Sequence, residues 1–251
     1  MKFVLYIALS LAFVRAPAVA APDPTAERYF ASGEYEAAAE QALSVGDAED
    51  LALAARALNA KAYLEIDDKS AKRIAKRASK IADEAAERDP MLVEAYLQGA
   101  IAMAQRASRI SAVRAFFLGL GGGARERLDK ALELEPENPW ALSTSAGWHL
   151  GVATRAGNGR FGSDAETGYL QFKAARAADP DNISIAYEMG LRVLAFGEEA
   201  WRAEAIAALE RAQTAPPLTA FDEALQARAK DFAAAIAAGP ESERAFIDEQ
   251  P

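Results

Sequence analysis

The feature that most restricts this chain is a spaced repetition: an acidic residue followed by proline recurs at Asp89-Pro90, Glu135-Pro136 and Asp179-Pro180. Proline has no amide hydrogen to donate and its ring clashes with the preceding turn, so each pair ends one helix and tolerates the start of another. Ten residues after each proline stands a small residue, Ala100, Ala146 or Gly190, and six after it an apolar one, Tyr96, Leu142 or Ala186. Five before it is alanine every time: Ala85, Ala131, Ala175. Eight before it is Ala82, Leu128 or Phe172, and twelve before it Ala78, Ala124 or Gly168. Pro217 closes one more unit with Ala212, Leu209 and Ala205 at the same offsets. Antiparallel helices approach closely only where small side chains meet, with larger ones filling the gaps around them. Alanine is abundant and β-branched residues are sparse, which favours helix over strand throughout.

This spacing resembles the tetratricopeptide (TPR) family, whose repeat pairs two helices with small residues at these places and a proline at the end. Ala26, Tyr29, Gly33, Tyr35 and Ala38 fall at the family's offsets for a shorter first unit. The resemblance covers residues 24–217 and implies an all-α, TPR-like helical-hairpin solenoid. Its units are expected at 24–47, 48–90, 91–136, 137–180 and 181–217, with a C-terminal capping helix over 218–238 to cover the last apolar face. The helical repeat domain then spans 21–239, and residues 240–251 are expected to fray as an acidic tail.

Residues 1–20 read as a cleaved signal peptide: Lys2, an apolar run over 3–14, then Ala18-Val19-Ala20 as the cleavage site. The run is too short to span a bilayer, and no later stretch is long enough, so no transmembrane segment is expected in the mature chain. Cysteine is absent, which excludes disulfides, thiolate metal sites, cysteine nucleophiles and a lipid-anchoring cysteine. The alanine- and arginine-rich usage is of bacterial character, so the mature protein is expected in the periplasm. The formal charge is −9, and −11 without the first 20 residues. Such an excess of acid argues against nucleic-acid binding.

The spacing departs from the family in one respect. The prolines stand 46, 44 and 37 residues apart, against about 34 in the family. The excess lies between the two helices of a unit: Ala100 and Ala124 are 24 apart, Ala146 and Gly168 22 apart. Both insertions, 106–123 and 154–163, are therefore expected on one edge of the solenoid, where insertions often mark a binding face. Gly121-Gly122-Gly123 is expected to turn the chain in the first, and Gly157, Asn158, Gly159 and Gly162 in the second. Neither is a phosphate-binding loop, because no Gly-Lys-Ser/Thr follows. Segment 95–125 has four arginines and no acid; segment 138–163 has Arg155, Arg160 and the sole histidine, again without an acid. They carry +4 and +2 while the rest of the mature chain carries −17. These arginines pair either with acidic neighbouring helices or with an anionic partner.

Catalysis is not expected. His149 is the only histidine, it occupies a helix-packing position, and the carboxylates lie on charged faces rather than in a cluster. No metal or cofactor is expected. The concave positions Leu97, Ile101, Ser143, Gly147, Tyr187 and Leu191 lack the cationic clamp by which TPR domains hold a peptide carboxylate. They leave either an apolar to neutral groove, with Trp140, Tyr187 and the space beside Gly147 and Gly151, or a tight superhelix whose interior these side chains fill. The candidate partner-binding residues are Arg109, Arg114, Phe116, Phe117, Arg155, Arg160 and Phe161 on the insertions, with Trp140 and Tyr187 from the groove and Trp148 as the residue that would meet Arg155 and Arg160 in a ligand pocket. The expected function is a non-catalytic periplasmic scaffold. It would bind a protein or peptide of the cell envelope, possessing an anionic group, through the concave face and the inserted loops. The alternative is a small-molecule or anionic-ligand binder resembling the T component of TRAP transporters. Those are typically lipid-anchored, and this chain lacks the cysteine for it.

Overall fold

The computed structural model describes residues 21–250, so the signal peptide expected over residues 1–20 lies outside the described residues. The helices follow one another as hairpins: α1 (Pro24–Ala31) with α2 (Tyr35–Val45), then α3 (Ala48–Leu64) with α4 (Asp68–Arg88). Next come α5 (Val93–Ser108), the short α6 (Ala112–Phe117) and α7 (Leu120–Leu134). Then α8 (Pro139–Ala156) pairs with α9 (Ala165–Ala178), and α10 (Ile183–Phe196) with α11 (Arg202–Thr214). The chain finishes with α12 (Ala220–Ala238) and α13 (Pro240–Asp248), and no strand occurs among the described residues.

Starts and stops have local causes. A helix begins with unpaired amides, and short polar side chains satisfy them. Asp23, Asp47, Asp67, Asn138, Asp164 and Asn182 each accept from an amide in the first turn of the helix they precede. Thr219 and Asp222 form a reciprocal capping box at α12. The acid-proline pairs build one turn three times. The amides of Asp89, Glu135 and Asp179 close the preceding helix onto the carbonyls of Ala85, Ala131 and Ala175, at 2.9, 2.9 and 3.0 Å. Their own carbonyls then accept from Leu92, Asn138 and Asn182 three residues on.

The small residues at the recurring offsets lie where helices cross. Ala78, Ala82, Ala85, Ala100, Ala124, Ala131, Ala146 and Ala175 are all buried. A methyl group added at Gly168 would stand 2.9 Å from His149 Cβ and 3.0 Å from the Ala146 carbonyl oxygen. One added at Gly190 would stand 3.2 Å from both the Ala205 carbonyl and Leu209 Cβ. Larger side chains, Leu128, Phe172 and Leu209, fill the space beside these close approaches.

Beyond the hairpins, α3 packs on α5, α5 on α8, α8 on α10 and α10 on α12. The first helices thus form one layer and α4, α7, α9 and α11 the other: an all-α solenoid. The superhelix also brings its ends together. Helix α1 touches α12, Tyr63 of α3 meets Phe221 edge to face at 5.7 Å, and the Tyr63 hydroxyl donates to Glu188 Oε1 at 2.9 Å. Arg228 of α12 lies over the Tyr63 ring.

Residues 240–248, expected to fray, form α13 instead. Phe246 stacks on buried Phe232 at 4.5 Å, and Arg202 grips Glu243 through two bonds of 2.7 and 2.6 Å. A two-pronged guanidinium–carboxylate pair holds orientation as well as charge. No helix among the described residues is long and apolar enough to cross a membrane.

Candidate interaction surface

The first insertion is built differently from its expected form. Helix α5 ends at Ser108, Ser111 caps α6, and Gly119 reverses the chain at φ 65°. Gly121-Gly122-Gly123 is not the turn; it is the first part of α7. The physical reason is that one left-handed glycine suffices for the reversal. A Cβ at Gly123 would stand within contact of the flexible end of the Met103 side chain on α5, which would have to shift.

The second insertion is a loop, with Gly157, Gly159 and Gly162 all at positive φ. It presents Phe161 from a 3₁₀ turn, Arg160–Gly162. Phe161 itself has φ 55° and ψ 23°, the one non-glycine at positive φ among the described residues. Such a conformation costs on the order of 1–3 kcal/mol and persists only where neighbours enforce it. Here the amide of Gly159 donates to the Ser163 carbonyl at 3.1 Å, and Asn158 Oδ1 accepts from Ala165 at 2.9 Å.

The two insertions meet. Phe116 of α6 lies 5.3 Å from Phe161 and 5.7 Å from Phe117, ring centre to ring centre. With Val113 and Leu118 these rings form a patch whose members are 53 to 80% exposed. Arg114 and Arg160 are exposed beside it, and neither has an ion-pair partner among the described residues. Val113 and Leu118 were not among the sequence candidates. The spacing of apolar residues after the Ser111 cap carries the signal that would have found them.

The other candidates are placed elsewhere. Arg109 is an internal splint, its side chain only 8% exposed. It donates to Asp68 Oδ1 at 2.9 Å and to the carbonyls of Ala62 and Glu65 at 3.1 and 3.3 Å, closing the C-terminal end of α3. Arg155 does the same for α5, donating to Ala107 and Ile110 carbonyls at 3.1 and 2.7 Å. Helix C-termini leave carbonyls unpaired and carry partial negative charge, so a guanidinium is well used there.

Trp148 is buried, donates from Nε1 to the Gly121 carbonyl at 3.0 Å, and lies under the Arg125 guanidinium. Tyr187 is fully buried, its hydroxyl directed to Gln250. Leu97, Ser143 and Leu191 are buried as well. Much of the expected groove is therefore filled by the chain's own side chains, because successive first helices pack directly on each other. The space beside α8 does exist: a methyl group added at Gly147 or Gly151 would touch nothing within 4 Å. Trp140, half exposed, begins the same stripe of α8, away from the aromatic patch.

His149 serves packing and capping. Its Nδ1 accepts from the Asp164 amide at 2.9 Å, at the start of α9. A neutral ring accepting there carries its hydrogen on Nε2, which faces Arg125 Nη1 at 3.2 Å. Two donors then confront each other, and no hydrogen bond results. Burial first, and the Arg125 charge second, hold the imidazole below its ordinary value. Clefts of 540 Å³ at residues 135–139 and 350 Å³ between α4, α5 and α7 touch neither insertion patch nor Trp148.

Fold and surface together define a class: an all-α helical-hairpin solenoid with one elaborated edge. The chain belongs to the family described as regulator of microtubule dynamics protein 1-3, whose model matches residues 26–237. That span runs from α1 into the last turn of α12. No curated protein matches the sequence.

Proposed function

We propose that the chain is a non-catalytic interaction scaffold of TPR type that docks through its inserted edge onto a larger partner bearing anionic groups. The observation that carries this reading is the meeting of both insertions in one exposed aromatic patch flanked by Arg114 and Arg160. A patch of several large apolar side chains on a protein surface is uncommon and marks contact sites. The strained backbone of Phe161 supports the same reading, since a costly conformation is spent on exposing a ring. The family is described by regulation rather than by a reaction, which favours binding over catalysis. The recurring turn at Asp89, Glu135 and Asp179 and the small residues at helix crossings support TPR-type units. The pattern of Lys2, residues 3–14 and Ala18-Val19-Ala20 supports export to the periplasm.

A photo-crosslinking amino acid at Phe117, compared with one at exposed Leu170 on α9, tests the surface. Adducts from cell-envelope material are expected at 117 and not at 170; equal yields from both positions would refute it. N-terminal sequencing of the protein from fractionated cells tests export, with Ala21 expected as the first residue and an intact Met1 or Lys2 refuting it.

A further inference from the structure

We infer that the partner met by the inserted edge is a membrane surface rich in anionic lipid headgroups, an inference that rests on the reading of that edge as the contact surface. Shape argues first. Neither α6 nor the 3₁₀ turn at Arg160–Gly162 has a buried residue, and beyond α5 and α7 at its base α6 meets the ring of Phe161. The apolar side chains therefore stand on a projection. A peptide or helix is normally held in a groove, whereas a projecting apolar tip is accommodated by the headgroup and acyl boundary of a bilayer. Helix α6 has six residues, so the contact is interfacial and does not span.

Composition argues second. Three phenylalanines with Val113 and Leu118 supply the apolar tip, and Arg114 and Arg160 stand beside it at the level of the headgroups. Arginine buries its stem in apolar surroundings while its guanidinium stays with phosphates. Charge argues third. Arg109 and Arg125 of the acid-free segments are paired with Asp68 and Asp129, so the positive charge offered at the tip is that of Arg114 and Arg160, while the chain after residue 20 outside segments 95–125 and 138–163 carries −17. An anionic surface attracts the one edge and repels the remainder, so the molecule lands in a single orientation.

The test uses the purified chain with vesicles of phosphatidylcholine alone and of phosphatidylcholine with phosphatidylglycerol. Co-sedimentation is expected only with the anionic vesicles and should weaken with added salt. Arg114→Glu with Arg160→Glu should reduce apparent affinity by more than about tenfold. Phe116→Ser with Phe117→Ser should abolish binding even at low salt. Both double variants should keep the circular dichroism spectrum and Tm, and Leu170→Ser should bind normally. In a Phe117→Trp variant, brominated lipid should quench the added fluorescence. Absence of binding to anionic vesicles overturns the inference, as does binding that survives loss of the phenylalanines. If vesicles fail while the Phe117 crosslinker captures a protein, the edge remains the contact surface and only the membrane is refuted.

Discussion

Two glycine-to-alanine substitutions of identical chemistry should move stability in opposite directions. Each lies inside a helix, where alanine is favoured over glycine by about 0.8–1.0 kcal/mol. At Gly151, in the C-terminal third of α8, the added methyl meets nothing within 4 Å. The whole gain is then expressed, and Tm should rise by about 2–4 °C for a chain of this length. At Gly168, in α9, the same methyl stands 2.9 Å from His149 Cβ, 3.0 Å from the Ala146 carbonyl oxygen and 3.3 Å from Leu150 Cγ. A backbone oxygen cannot swing aside, so α8 and α9 must separate, at an overpacking cost of about 1–3 kcal/mol. After subtraction of the helix gain, Gly168→Ala should be destabilising by about 1 kcal/mol. Separation also stretches the bond from the Asp164 amide to His149. Urea unfolding followed by circular dichroism at 222 nm, with unchanged slope, measures both. Equal stabilisation by the two substitutions would refute the claim that the helices are closest at residues 146 and 168.

Ala131→Phe and Ala175→Phe, at fully buried crossings, should each be destabilising by about 1–3 kcal/mol in the same assay. Because the His149 imidazole is held below its ordinary value of 6.5, the unfolded chain takes up the proton first. Stability is therefore full above about pH 6.5 and declines as pH falls below it; His149→Gln, which still offers an acceptor to the Asp164 amide, should flatten that decline in Tm measured from pH 7.5 to 5. Arg109→Ala removes charged bonds to two carbonyls and Asp68 and should cost about 1.5–3 kcal/mol, whereas Arg114→Ala should leave Tm within about 1 °C.

The repeat was legible because its constraints are local. Proline and a small residue at a fixed offset act on their own helix and its nearest neighbour, so the crossings at Ala131, Ala146 and Gly168 follow from spacing alone. The acid-free segments were legible too, and so was the aromatic character of both insertions. What each arginine does was not. Arg109 and Arg155 find their carbonyl partners more than forty residues away in the chain, and Arg114 and Arg160 differ from them only in lacking such partners. Whether Tyr187 and Trp148 line an opening or fill the interior was not legible for a related reason: how tightly first helices stack depends on every side chain in the layer, and both are buried. Helix α13 escaped notice because its apolar anchors are just Phe246 and Ile247, and its third hold, Glu243 on Arg202, reads in the sequence as part of a polar tail.

In an open repeat array each unit leans only on its neighbours, so unfolding starts at either end and creeps inward. Here the first hairpin rests on α12, and Tyr63 joins α3 to Phe221 and Glu188 across more than a hundred residues of chain. The array is thus a closed circuit with no terminal unit free to peel away. Loosening α12 also removes support from α1 and α3, which raises the cooperativity of opening above that of a linear stack. Amide hydrogen exchange should then show protection running evenly around the first-helix layer instead of fading toward its two ends.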